Sequence, residues 1–185
     1  TTTGTQTYSG AVTLSGANRT LSGTTINTGS TVDGGGYSLT VTGNADVDGD
    51  ISNVNVLSVS GTSNLGANVT TTGTQTYNGA VTLGADTSLT TTNSLVWFKS
   101  TVGNSSARAL TISSGTGGVT FANTVGAGTA LGAISISGSG TTTFSGAVTA
   151  ASLSSGTGTT AINGGSVTTT GTQTYNGAVT LGADT

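Results

Sequence analysis

The nineteen residues VTTTGTQTYNGAVTLGADT run from Val69 to Thr87 and return unchanged from Val167 to Thr185. A looser copy, TTTGTQTYSGAVTL, opens the chain at Thr1. This repetition constrains the fold more than any single residue does. Units that recur must bury their apolar faces on one another, and stacking them into a solenoid does so. The long copies start at Thr1, Thr70 and Thr168, giving units 1–69 and 70–167 and the start of a third at 168. Both termini fall inside the pattern and neither resembles a polar cap. Residues 1–185 are therefore expected to be one solenoid segment of a longer array, with unpaired ends that favour self-association into fibres.

Shorter units lie within the long ones: TYNGAV at Thr76, WFKSTV at Trp97, TFANTV at Thr120, TFSGAV at Thr143 and TYNGAV again at Thr174. Their marker aromatics are Tyr77, Phe98, Phe121, Phe144 and Tyr175, and the first three steps are 21, 23 and 23 residues. Ile162 reads as a degenerate marker between Phe144 and Tyr175, as Ile26, Val47 and Leu65 do between Tyr8 and Tyr77. A period of roughly twenty residues, broken by Gly/Ser/Asn turns and with no 3.6-residue periodicity, predicts an all-β solenoid.

Alternation along each strand assigns the faces. Tyr77, Gly79 and Val81 share one parity with Phe98, Ser100 and Val102, with Phe121, Asn123 and Val125, and with Phe144, Gly146 and Val148. This large, small, branched pattern is expected to point inward as columns. Thr76, Trp97, Thr120, Thr143 and Thr174 take the opposite parity and are expected outside. The step from Ile162 to Val167 is one residue longer than its counterparts, so Gly164–Gly165 is expected to form a bulge.

Composition agrees with a folded β chain. Hydrophobic residues make up 32% and charged residues 5%, a balance unlike that of disordered segments. Abundant Thr and Val favour pleated surfaces. Three basic residues, Arg19, Lys99 and Arg108, leave no electrostatic footprint for nucleic acid or an anionic membrane. No apolar run is long enough for a spanning helix. The absence of cysteine excludes a disulfide framework and suits export, although many cytosolic proteins also lack cysteine.

Tandem units such as TTTGTQTYNGAVTLGADTSL, GGVTFANTVG and TTTFSGAVT resemble the repeats of giant bacterial surface exoproteins, the filamentous-haemagglutinin-like adhesins. These are exported by two-partner or autotransporter routes, and their characteristic export domain is not among the residues here. The resemblance spans nearly the whole chain. It implies a right-handed parallel β-helix at the cell surface that supports adhesion, aggregation or biofilm-matrix fibres. Host or neighbouring-cell surfaces and glycans are the partners it implies.

The chemistry available on such a rod is sparse. The only acids are Asp33, Asp46, Asp48, Asp50, Asp86 and Asp184, with no histidine, so no enzymatic constellation is expected. In NADVDGD, alternation puts Asp46, Asp48 and Asp50 on one side of a strand. That spacing fits either calcium, which takes oxygen ligands, or a solvated face that discourages lateral aggregation. Calcium is the only cofactor to consider. Asp86 and Asp184 read as turn residues. Ranks of Thr76, Thr120, Thr143 and Thr174 resemble an ice-binding surface, or else are ordinary exposed strand residues. In LVWFKS, Trp97 and Lys99 form an outward contact for a sugar or a protein, or Trp97 packs beneath a loop.

Overall fold

The computed structural model describes residues 1–182; Asp184, read above as a turn residue, lies outside them. Strands of mostly three residues wind into about 9 turns, and none of the described residues is helical. All the strand pairs are parallel, each strand lying beside its counterparts one turn below and one turn above. Successive turns are stacked at about 4.8 Å, the ordinary spacing between strands. The fold is an all-β parallel solenoid with rungs of about 20 residues.

The smallest rungs show how sequence becomes cross-section. Strands Gln75–Tyr77, Val81–Leu83 and Thr87–Thr91 begin at intervals of six residues, each separated by a three-residue corner. Inward and outward positions alternate along these strands: Gln75 and Tyr77, Val81 and Leu83, and Thr87, Leu89 and Thr91 are buried, and the residues between them face out. Three such hexads close one turn, so a turn has three faces. Along the first face, Leu21, Val41, Val59, Tyr77, Phe98, Phe121, Phe144, Ile162 and Leu181 align rung upon rung. The step between these residues runs from 18 to 23 residues, and the extra residues of the longer turns are taken up in corners and loops.

The aromatic column is present. Tyr77, Phe98, Phe121 and Phe144 stack with centroids 5.3, 4.9 and 5.1 Å apart and planes within 12° of parallel. All four side chains are fully buried. Each stacked pair contributes about 0.5–1.5 kcal/mol beyond its area burial. Ile162 continues the column as expected, but Tyr175 does not. Leu181 follows Ile162, while Tyr175 lies beside Ser155 on the third face. Tyr8, Val47 and Leu65 lead to Leu83 on the second face rather than to Tyr77. Ile26 also belongs to the second face, in the column of Ala45, Ser63, Val81 and Val102.

The large, small, branched triplet is also corrected. Phe121 and Val125 are buried, but Asn123 between them is exposed. The triplet is two faces joined by a corner, because a three-residue strand cannot reach the next inward position without turning. Beyond Ile162 the corner 163–166 holds one residue more than the corner 145–147, and Gly165 takes a left-handed φ of 80° there. The extra residue therefore sits in the corner and not within a strand.

Corners stack as tightly as strands. A Cβ on Gly140 would meet the carbonyl oxygen of Gly117 at 2.0 Å, and one on Gly158 would meet that of Gly140 at 2.1 Å. Real Cβ contacts are never that short, so only glycine allows these backbones to approach. Elsewhere an Asn or Asp placed just before a strand secures the next turn. The side-chain oxygens of Asn18, Asp50 and Asp86 accept the backbone N–H of Ser38, Asn68 and Ala109, each at 2.9 Å. These bonds satisfy corner amides that fall outside the strand ladder.

Candidate contact surface

Outward residues of the first face form one rank. Thr20, Thr40, Ser58, Thr76, Trp97, Thr120, Thr143, Ala161 and Thr180 lie in register from rung to rung. Thr76, Thr120 and Thr143 are half-buried between their neighbours. Thr174 does not join them. It is exposed on the third face beside Ser154. The residues before each of these strands, among them Val56, Thr74, Leu95 and Gly118, do not make a second threonine rank. On this face the result is a single line of hydroxyls, broken at Trp97 and Ala161.

Several threonines lie inside instead. Thr71, Thr87, Thr91, Thr142 and Thr160 are buried, and the hydroxyls of Thr71, Thr87, Thr91 and Thr160 bond locally. Thr71 Oγ1 donates to the Gly73 carbonyl at 2.6 Å, and Thr160 Oγ1 donates to Ser155 Oγ at 2.9 Å. An inward hydroxyl is tolerated where it finds such a partner.

Trp97 interrupts the rank. It is 36% exposed, so the reading that packs it beneath a loop fails. Its strand, Val96–Phe98, turns Val96 and Phe98 inward, which leaves the indole no route into the core. Lys99, in the corner that follows, places Nζ 4.3 Å from the indole ring centroid. This cation–π contact contributes about 0.5–1 kcal/mol at an exposed site and restrains the ring.

The carboxylates of the acidic stretch do not converge. Asp46, one residue before the end of its strand, lies between Asn27 and Asn64, and its two carboxylate oxygens accept their side-chain amides at 2.9 and 2.8 Å. Asp48 and Asp50 lie past the strand end in a corner, so alternation does not carry to them. Asp50 is engaged by the Asn68 N–H. Among the described residues no group of three candidate ligand side chains converges on a metal-sized site. Asp33 accepts the Gly35 N–H at 3.0 Å and the Asn53 amide at 3.1 Å, which together hold its carboxyl below the usual range.

The inward polar constellation around Gln75 escaped the pattern reading. Its amide donates to the Val69 and Thr90 carbonyls at 3.1 and 2.9 Å, and its Oε1 accepts the Tyr77 hydroxyl at 3.1 Å. The same Gln–Tyr pair recurs in the other copies, Tyr8 to Gln6 at 2.7 Å and Tyr175 to Gln173 at 2.8 Å. The available signal was Gln at the hexad position that Val96 and Val119 occupy in later rungs. Beneath Tyr77, where Val41 and Val59 replace aromatics, the core holds an apolar cavity of about 10 Å³ bordered by Leu39, Leu57 and Leu65. Such a space is small and dry.

Among the described residues no helix is long and apolar enough to cross a membrane. Comparison with known proteins gives no match: no family model fits the chain, and no curated protein or solved structure is similar to it.

Proposed function

We propose that this chain is a structural and adhesive rod segment of a secreted bacterial surface protein, of the filamentous-haemagglutinin-like kind. In this role it extends adhesive sites from the cell or builds matrix fibres. The observation that supports this is the unbroken first-face column, which runs from Leu21 to Leu181 with every neighbour in parallel register. A continuous ladder resists bending and proteolysis, since each rung must be lifted from two others before its backbone is open. With a net charge of -3, neighbouring rods repel one another little. The test is electron microscopy of the purified chain together with adherence of chain-coated beads to cells and to one another. Rods with a ~4.8 Å axial repeat and beads that cluster or adhere support the reading. Rods whose beads neither adhere nor cluster leave a spacer and remove the adhesive part.

A second reading rests on Trp97, the one large aromatic side chain exposed among the described residues. It gives the rod a contact point for a glycan or a neighbouring protein. A glycan array probed with the parent chain and with Trp97→Ala separates the two readings. Binding lost in the variant, with an unchanged melt, assigns it to the indole.

A further inference from the structure

The three copies of the long repeat do not occupy the same face. Gln75–Tyr77 of the second copy lies on the first face, against Val59 below and Phe98 above. Gln6–Tyr8 of the first copy lies on the second face, in register with Ile26 to Thr28. Gln173–Tyr175 of the third copy lies on the third face, beside Leu153 to Ser155. The reason is arithmetic. Four turns up from Tyr8 the column reaches Leu83, which is six residues past Tyr77. Five turns up from Tyr77 it reaches Leu181, which is six residues past Tyr175. Each copy therefore arrives one hexad short of a whole number of turns.

The copy keeps its internal structure on every face. The Tyr-to-Gln hydrogen bond forms in all three. Gln75 and Gln173 both donate to the carbonyl six residues earlier, Val69 at 3.1 Å and Val167 at 3.0 Å. Asn78 and Asn176 both donate to the turn below, to the Val59 and Ser155 carbonyls. The neighbours differ: Tyr77 meets an aromatic ring, Tyr8 meets Thr28 and Tyr175 meets Ser155. The middle threonine, Thr7, Thr76 or Thr174, faces outward each time.

We infer that the long repeat is a face-independent module whose spacing steps it by one face per copy, so that one outward surface is presented on all three sides of the rod. A partner that recognises the threonine edge of a copy then meets it from any direction. This inference rests on the register alone and does not depend on the adhesive reading.

Paired cysteines test it. Residues in register in parallel strands lie about 4.8 Å apart, within disulfide reach. In the parent chain, Ser154→Cys with Thr174→Cys is expected to cross-link on oxidation, and Ala161→Cys with Thr174→Cys is not. A second variant inserts a copy of the hexad Val81–Asp86 after Ser166, which adds the missing face. The pattern is then expected to reverse: the Ala161/Thr174 pair links, the Ser154/Thr174 pair does not, and the melting temperature stays within a few degrees of the parent. Cross-linking of Ala161/Thr174 in the parent overturns the inference. So does an insertion variant that keeps the Ser154/Thr174 link, or one that loses both links. Insertion of three residues at the same place is expected to lose both, and equal tolerance of three and six residues would also overturn it.

Discussion

The hydroxyl of Tyr77 donates to Oε1 of Gln75 across 3.1 Å in a core where neither residue has any exposure. One rung above, Val96 and Phe98 fill the same positions with no polar atom in their side chains. The two rungs are alternative solutions to one inward space: a polar pair that satisfies itself and an apolar pair with nothing to satisfy. Replacing half of either solution fails.

Tyr77→Phe alone is therefore expected to cost about 1–3 kcal/mol, because the buried Gln75 Oε1 loses its donor. Gln75→Val with Tyr77→Phe reproduces the Val96/Phe98 rung and is expected to recover most of that loss. Urea unfolding of both single variants and the double variant measures the coupling between the two positions. Additive losses would show that the pair does not act as a unit.

Burial pushes the Tyr77 phenol far above its ordinary value. In the unfolded chain the phenol ionises near pH 10, whereas the folded chain keeps it neutral beyond that point. The folded state then binds the extra proton, so stability falls as pH rises above about 10 and is unaffected by this group below that range. Thermal melts between pH 8 and pH 12 are expected to decline more steeply for the parent than for Tyr77→Phe. Parallel slopes would place the alkaline sensitivity elsewhere.

Phe121 has stacked partners on both sides, Phe98 at 4.9 Å and Phe144 at 5.1 Å. Phe121→Ala is expected to cost about 3–5 kcal/mol through lost transfer energy and the cavity left behind. Phe121→Asp, which buries an unpaired charge, is expected to unfold several rungs. Asn123→Asp, two residues along and exposed, is expected to change stability by less than about 0.5 kcal/mol. Circular dichroism melts of the three variants check the ranking, and a costly Asn123→Asp would restore the inward assignment that the corner geometry rejects.

Trp97→Thr restores the threonine that stands on either side of it in the rank. It removes the Lys99 contact and is expected to leave stability within about 1 kcal/mol of the parent. Lys99→Ala keeps the indole and is expected to shift its fluorescence emission, since the ammonium sits 4.3 Å from the ring centroid. An emission spectrum unchanged in Lys99→Ala would show that the contact does not persist in solution.

The solenoid was legible in the sequence because inward aromatics must meet once per turn, and Tyr77, Phe98, Phe121 and Phe144 recur at close to the rung length. Ile162 was legible for the same reason. The faces were harder to read. Identical letters around Tyr77 and Tyr175 suggested identical surroundings, yet register is decided by counting residues around the turn, and the count falls one hexad short. Asp48 and Asp50 were misplaced for a related cause, since alternation holds only while a strand lasts and this strand ends at Val47. The outward placement of Trp97 followed directly from parity, but its contact with Lys99 required the corner's conformation. Gln75 was missed because a polar residue at an inward position is invisible to a hydrophobic pattern until its partners are known.

The mismatch between repeat and turn acts as a vernier. Two rulers with unequal divisions report a position by where their marks coincide, and here the marks return to the starting side once every three copies. Gaining or losing one copy would therefore rotate everything beyond it by a third of a revolution as well as lengthening or shortening the rod. Repeat number would set the bearing of the distal end, not only its reach.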